Sequence, residues 1–234
     1  MRRVAAVFLF IAGAGLILPH RADALLDSWQ KPLREADTLV KTGDYPAAER
    51  IAHRVADEVS HHLGPSSEVA ETLGIAVALR SLATVGLGDL DHGVWLWHTA
   101  LNIDPRLENL NLEQYRGPGS FLAQHPLETE EELRRAAGAE DEGAAVQPPK
   151  VHRRRNLRFP LGAEEFRHRG PLAVTFLVRA DGTLANPIVT EQPPPVAEIY
   201  AALDALWEWQ VEPARAAGDP VPAVYRLSVK FTLR

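Results

Sequence analysis

The sequence predicts an α + (α+β) fold, in which an N-terminal helical domain, a flexible linker and a small C-terminal antiparallel sheet packed on one helix follow one another. Three observations predict it. Apolar residues recur at helical spacing through much of 25–125, and apolar content falls over 126–156. Within 157–234, two runs alternate between apolar and polar residues, and one helical segment lies between them.

The first two strands of the C-terminal domain are predicted to form a hairpin. The run 172–178 alternates, which predicts a half-buried strand, and Asp181-Gly182 tolerates the positive φ of a tight turn before the second run, 184–190. Pro187 lies inside that second run and cannot donate a ladder hydrogen bond. We therefore predict a bulge near Ala185-Asn186, or an edge position for this strand.

A single helix and a last strand are predicted to complete this domain. Ile199, Leu203 and Leu206 recur at helical spacing within 196–207, which predicts one amphipathic helix. The final strand is predicted over 221–233. Its side chains fall into two sets, with Tyr225, Leu227, Val229, Phe231 and Leu233 on one face and Arg226, Ser228, Lys230 and Thr232 on the other.

Ten sequence features of this region occur together in a characteristic order. They are Phe159-Pro160, Ala163, Gly170, Asp181-Gly182, Ala202-Leu203, Trp207-x-Trp209, Pro213-Ala214, Gly218, Pro220-Val221 and Phe231-x-Leu233. With them the sequence resembles the C-terminal domain of the TonB family, over about a third of the chain. The resemblance implies a small sheet braced by one helix.

The resemblance also implies a binding site for other proteins. In the TonB family the comparable last strand docks a short segment of an outer-membrane receptor, so it implies strand addition here along the final strand and the nearby aromatic-Pro segment. The implied site residues are Val224, Tyr225, Arg226, Leu227, Ser228, Val229, Lys230, Phe159 and Pro160. The alternative is that Arg226 and Lys230 only protect an edge from aggregation.

The helical domain contains two similar turn-and-helix units, which begin at Gly43-Asp44-Tyr45 and Gly88-Asp89-Leu90. They predict four helices, or two imperfect repeats, with extra helical material over 107–122. The second unit resembles half of a tetratricopeptide repeat in the spacing of Gly93, Trp97, Ala100 and Pro105. Such arrays bind protein segments in a groove, which predicts a second protein partner here. The alternative is a small bundle that only holds itself together.

The N-terminus predicts export. Arg2-Arg3 precedes an apolar run over 4–18, and Ala22-Asp23-Ala24 forms a small-x-small cleavage site, so we predict a signal peptide over 1–24. The run is short for a spanning helix, which needs roughly 20 apolar residues. Together with the resemblance, this predicts a periplasmic protein, with inner-membrane anchoring as the alternative if the segment is not cleaved.

Residues 126–156 are predicted to form a mobile linker. Their middle part is rich in Ala, Gly and Glu without an apolar period, so little surface is available for burial. The linker ends in a basic run, 152–155. We interpret this run as a solvated junction, and a contact with an anion such as a lipid head group is the alternative.

Composition and motifs argue against catalysis and against several classes of ligand. The chain has no cysteine, so thiol catalysis and thiolate metal sites are excluded. A net charge of −6 argues against nucleic-acid binding. The nine histidines form no i, i+4 pair, and no phosphate-binding loop or nucleophile elbow is present. We therefore expect no cofactor, no metal, no catalytic residue and no enzymatic activity.

The leading functional hypothesis is a periplasmic adaptor with two protein-binding modules. The alternative is a membrane-anchored energy transducer for TonB-dependent outer-membrane transport. The transducer needs an anchor and usually a long Pro-rich arm, whereas a partly helical domain stands in that place here. Mapping the mature N-terminus separates the two hypotheses.

Overall fold

The computed structural model describes residues 20–61, 67–138, 146–153, 172–190 and 195–229. The helices of this part are α1 (His20–Thr42), α2 (Tyr45–Ser60), α3 (Ser67–Gly86), α4 (Leu90–Ile103), two 3-10 helices (Pro105–Asn109 and Leu112–Tyr115), α5 (Arg116–Leu122), α6 (Glu130–Ala136) and α7 (Val196–Trp207). The strands are β1 (Val146–Gln147), β2 (Lys150–Arg153), β3 (Leu172–Val178), β4 (Leu184–Val189), β5 (Gln210–Glu212), β6 (Ala214–Ala216), β7 (Asp219–Val221) and β8 (Ala223–Val229).

The two predicted turn-and-helix units are the turns that lead into α2 and α4. Gly43 and Gly88 adopt φ values of 89° and 92°, which favour glycine. The side chains of Asp44 and Asp89 then cap the helices by accepting from the third following backbone N–H. The prediction of four helices followed by extra helical material is confirmed. The likeness to tetratricopeptide repeats stays a prediction.

Helix α3 lies at the centre of the helical half, where α1, α2, α4 and α5 all contact it. Its segment Glu68–Gly86 is the one described stretch long and apolar enough to cross a membrane, yet 78% of an 18-residue apolar stretch within it is buried inside the protein. The apolar character of α3 is thus accounted for by its packing among other helices.

The main sheet has three antiparallel strands in the order β4-β3-β8. The alternation in β3 predicted one buried face, and this prediction is wrong, because Ala173 and Thr175 are as buried as Val174 and Phe176. Both faces are covered. Phe176 belongs to the main core together with α7, while α6 contacts β3 and β8 and buries Leu133 completely.

The stretch predicted to be a mobile linker contains regular structure where it is described. Helix α6 has a capping box formed by Thr129 and Glu132, and the strands β1 and β2 pair antiparallel with β6 and β5. Residues 139–145 and 154–156 lie outside the described part. The described portions of 126–156 therefore pack against the C-terminal region and do not match the expected mobile chain.

The helical half and the sheet share one core. Helix α4 contacts both β4 and α7, and α2 contacts α7. The indole of Trp95 donates to the carbonyl of Leu203 at 3.0 Å. The guanidinium of Arg80 donates to the hydroxyl of Tyr200 at 3.3 Å and to Asp204 at 3.2 Å. The sequence does not indicate whether the two halves touch, and the structure shows that they do.

The C-terminal region follows the predicted order of hairpin, helix and strand. Helix α7 has the predicted bounds, 196–207, and Gly182 has the positive φ of the predicted turn, 87°. Between α7 and the last strand lie three short strands, β5, β6 and β7, which the sequence analysis did not predict. The predicted strand 221–233 corresponds to β7 and β8, and residues 230–233 lie outside the described part.

Candidate functional site

Strand β8 forms one edge of the main sheet. All seven of its residues pair with β3, from Leu172 opposite Val229 to Val178 opposite Ala223. Within the described ranges, no second strand pairs with β8. An edge strand presents a row of backbone N–H and C=O groups to which another extended chain can bind.

The side chains of β8 alternate as the sequence predicted. Tyr225 and Leu227 are half-buried and Val229 is buried, whereas Arg226 and Ser228 are exposed. The ring of Tyr225 lies 5.7 Å from the ring of its cross-strand partner Phe176, a tilted aromatic pair that anchors the strand. The apolar set therefore holds β8 in its register, and Arg226 and Ser228 lie on the solvent side.

The hydrogen-bond pattern shows which backbone groups of β8 point away from β3. The N–H of Thr190 donates to the carbonyl of Ala173 at 3.1 Å, so the backbone groups of Ala173 face β4. Backbone direction alternates along an antiparallel strand, so Val174 faces β8 and pairs with Leu227. By the same alternation, the outward-pointing N–H and C=O groups of β8 belong to Val224, Arg226 and Ser228.

The opposite edge of the same sheet, on β4, is occupied by side chains. The amide of Asn102, from α4, donates to the carbonyl of Pro187 and accepts from the N–H of Val189, both at 2.8 Å. The residue before Pro187 is Asn186. Its side-chain amide accepts from the N–H of Glu128 at 2.9 Å and donates to the carbonyl of Glu128 at 3.1 Å. The Asn102 amide thus imitates the hydrogen bonds of a neighbouring strand, and the Asn186 side chain holds the backbone of Glu128 against β4.

The irregularity predicted in β4 is present. The register with β3 shifts between Thr175 and Leu177, and Asn186 has a φ of 49°. Both parts of the prediction are confirmed, since β4 is also an edge strand. The bulge turns the Asn186 side chain toward the backbone of Glu128 and so contributes to covering this edge.

Six of the nine predicted binding residues lie together on β8, namely Val224, Tyr225, Arg226, Leu227, Ser228 and Val229. Lys230, Phe159 and Pro160 lie outside the described residues. Sequence analysis missed Asn102 and the contact of Asn186 with Glu128, which cover the other edge. Pro187 was the one sequence signal near them, because it marked β4 as irregular.

A buried polar cluster fixes α7, the helix that supports the sheet. Arg80 has 8% of its side chain exposed, and Glu49 approaches it to 3.3 Å from α2 while Asp204 approaches from α7. Burial works against the charged form, but Tyr200, Asp204 and Glu49 together raise the pKa of Arg80. The ring of His92 stacks on Trp207 of α7 at 4.8 Å. These contacts join the helical half to α7.

The described residues show no arrangement for metal binding. They include no group of three or more His, Asp or Glu side chains close enough to hold an ion. His98, whose side chain is buried, donates through its Nε2–H to the carbonyl of His125 at 3.1 Å. Burial lowers the pKa of His98 to about 4. This describes a structural histidine kept neutral by its packing.

The edge strand and its covered counterpart belong to a small module of the α+β class. Residues 155–233 match the family model described as Gram-negative bacterial TonB protein C-terminal. The C-terminal third of the chain is therefore a TonB-type C-terminal domain. No curated protein matches the chain, and no solved structure matches it.

The match bears on the class of protein and on its compartment. TonB-type C-terminal domains occur in proteins of the cell envelope that take part in energy-coupled transport, and these domains bind other proteins. The match begins at residue 155 and leaves the helical half, α1 to α5, outside it.

Proposed function

We propose that the chain is a periplasmic protein-interaction protein that binds an extended segment of a partner by strand addition along β8. The observation that carries the proposal is the asymmetry of the sheet. Among the described strands β8 has a neighbour on one side only, whereas the edge of β4 is occupied by Asn102 and by the Asn186–Glu128 pair. The edge formed by β8 is therefore the one at which we expect another chain to pair.

In the proposed complex, the partner lies beside β8 and pairs with its outward backbone groups. Val224 and Ser228 each contribute an N–H and a C=O on that side. Each such hydrogen bond contributes roughly 1 kcal/mol net, so backbone pairing alone gives weak binding and side chains must supply the rest. Arg226 is exposed and positively charged, and it favours an acidic residue in the partner segment.

The test replaces Ser228 by proline. Proline has no N–H, so S228P removes one outward donor, while the exposed position leaves the buried face of β8 unchanged. We expect at least tenfold weaker binding of synthetic peptides that represent periplasmic N-terminal segments of TonB-dependent outer-membrane receptors, measured by isothermal titration calorimetry. The temperature of unfolding should change by a few degrees at most.

The matched control is S228A, which removes the hydroxyl and keeps the N–H. It should bind the same peptides within about twofold of the unchanged protein, since an exposed hydroxyl contributes little. Equal affinities for S228P and S228A would exclude β8 as the binding edge and leave protection from aggregation as the role of its charge.

A membrane-anchored energy transducer is the second candidate, favoured by the TonB-type domain. It requires that residues 1–24 remain attached. N-terminal sequencing of the protein from cell fractions decides between the two. A chain that begins at Leu25 in the periplasmic fraction supports the adaptor, and a chain that keeps Met1 in the inner-membrane fraction supports the transducer. Neither proposal gives the chain a catalytic role.

A further inference from the structure

A cleft in the helical half lies apart from the sheet. It has a volume of about 580 Å³, and it is bounded by α1, by the first half of α3 and by the segment 105–115. Its apolar floor consists of Leu33, Ile75, Leu79, Leu107 and Leu110. Cavities of roughly 300–1,000 Å³ are typical of ligand-binding sites. None of the residues that line this cleft belongs to the sheet or to α7.

Each helix presents one continuous face to the cleft. On α3 the lining residues run from Glu68 to Leu79, and on α1 they run from Gln30 to Asp37, in both cases at spacings of three and four. Eleven residues of helix rise by roughly 16 Å. An extended chain rises about 3.3 Å per residue, so the cleft matches about five residues of a peptide. The lining face of α3 is therefore long enough to accompany a short extended chain segment.

The part of the rim that α3 contributes is acidic. Glu68 and Glu71 stand exposed on α3. On α1, the carboxylate of Asp37 is paired with Lys41, and Arg34 is the lining cation. Glu71 is held by Arg106 at 3.3 Å in a pair whose side chains are 52% and 62% exposed. Such an exposed pair contributes little and can be exchanged for a partner's cation.

One end of the cleft is built from a small polar cluster. The hydroxyl of Tyr115 donates to Asp37 at 2.8 Å, and Lys41 donates to the other carboxylate oxygen at 2.7 Å. Lys41 also lies 5.2 Å from the centre of the Tyr115 ring. These contacts fix Tyr115 and Asp37 against each other, so this end of the cleft is preorganised.

We propose that this cleft binds a short extended segment of a partner protein in which apolar and basic side chains alternate. The apolar side chains cover the floor made by Ile75, Leu79 and Leu110, and the basic ones meet Glu68 and Glu71. The site is separate from β8 and does not depend on strand addition. With both sites occupied, the protein would hold two partner segments on one rigid core, because α4 and α7 join the two halves.

The test uses fluorescence anisotropy with three labelled eight-residue peptides and the purified full chain. One peptide alternates Leu and Lys, one alternates Leu and Glu, and one alternates Ser and Lys. We expect the Leu–Lys peptide to bind at least tenfold more tightly than either of the others. Equal binding of the Leu–Lys and Leu–Glu peptides would overturn the proposed charge preference, and equal binding of the Ser–Lys peptide would overturn the role of the apolar floor.

Two variants locate the binding. I75W fills the floor from a half-buried position and should weaken Leu–Lys binding at least tenfold. E68Q removes one rim charge and should weaken it about threefold, in keeping with an exposed ion pair. The matched control is E131Q on α6, whose side chain is 85% exposed and lies outside the cleft; it should bind as the unchanged protein does.

The pattern across the variants decides the outcome. The net charge of −6 attracts any cationic peptide weakly, and such attraction would fall equally in E68Q and E131Q. That result, or unchanged binding to I75W while its circular dichroism spectrum is native, would exclude the cleft as the site. If I75W does not fold, the comparison of Leu–Lys peptide binding by E68Q and E131Q still tests whether the cleft is the binding site. Retained Leu–Lys binding in S228P would separate this site from β8.

Discussion

The two edges of the main sheet differ in whether other parts of the protein cover them. On β4, the amide of Asn102 satisfies Pro187 and Val189, and Asn186 pairs with the backbone of Glu128. On β8, the described structure shows pairing with β3 alone. Unpaired edges invite association, and proteins usually cover or charge them. The difference teaches that the helical half covers one edge of the sheet and leaves the other for the proposed strand addition.

The cover over β4 depends on how firmly α4 is held against the sheet. Helix α4 is fixed by the Trp95–Leu203 hydrogen bond, and the neighbouring helix α3 is fixed to α7 by Arg80. The difference between the edges can therefore be tested at three places. These are Arg80 at the contact between the halves, the Asn102 amide that covers β4, and His98 one turn before Asn102.

Loss of the buried guanidinium of Arg80 should cause the largest decrease in the free energy of unfolding. R80M removes a guanidinium that is 8% exposed and takes away one ion-pair partner from each of Glu49 and Asp204, which are 24% and 31% exposed. Removal of one member of a buried ion cluster is strongly destabilising, and the partial exposure of the two carboxylates places this case near the lower end, at about 3 kcal/mol. Urea unfolding measures the change in the free energy of unfolding.

The matched control for R80M is R134M, which removes an exposed arginine of a surface pair in α6. We expect a change within about 0.5 kcal/mol for that variant. Similar losses for R80M and R134M would mean that the Arg80 cluster does not hold the two halves together.

Loss of the covering amide should have the next largest effect. In N102A the carbonyl of Pro187 and the N–H of Val189 lose their partners at a partly buried position, which costs about 2 kcal/mol. The same variant opens the edge of β4, so it should also raise the tendency to dimerise, measured by analytical ultracentrifugation. N109A, at an exposed asparagine in the 3-10 helix after α4, is the control and should show neither change.

The elements that could be predicted from the sequence are those whose signals are local. The turns at Gly43 and Gly88, the turn at Gly182 and the stripe of α7 each lie within a few residues, and each was found. The alternation on β8 is likewise local, and the resemblance to the TonB family named six of the proposed binding residues on this strand in advance. Their position at an edge is a property of the pairing of β3, and alternation alone does not reveal it.

The rest could not be predicted because it depends on distant pairs. Asn102 contacts residues 85 and 87 positions away, and nothing around an asparagine late in a helix signals a sheet edge. In the same way, α6 covers the second face of β3 from a stretch whose weak apolar pattern predicted a linker. Leu133 alone is fully buried there. A single side chain gives no period, so tertiary packing decided the structure of this segment.

The smallest expected effect is the loss of stability at acidic pH that His98 causes. His98 lies one turn before Asn102, its carbonyl accepts from the Asn102 amide, and its buried Nδ1 has no hydrogen-bond partner. Burial lowers the pKa of His98 to about 4, so the unfolded chain binds this proton more readily than the folded chain. Its contribution to stability is complete above pH ~6.5 and falls as the pH drops toward 4, which costs about 1 kcal/mol at pH 5.5.

Unfolding measured between pH 8 and pH 5 isolates this contribution when H98Q is compared with the unchanged protein. Glutamine retains a donor for the His125 carbonyl and does not titrate, so H98Q should lose about 1 kcal/mol less between pH 7.5 and pH 5.5. H61Q, at an exposed histidine, should follow the unchanged protein. If H98Q and the unchanged protein lose stability in parallel, His98 is not kept neutral by the packing of α4, and acid does not act on the covered edge through this residue.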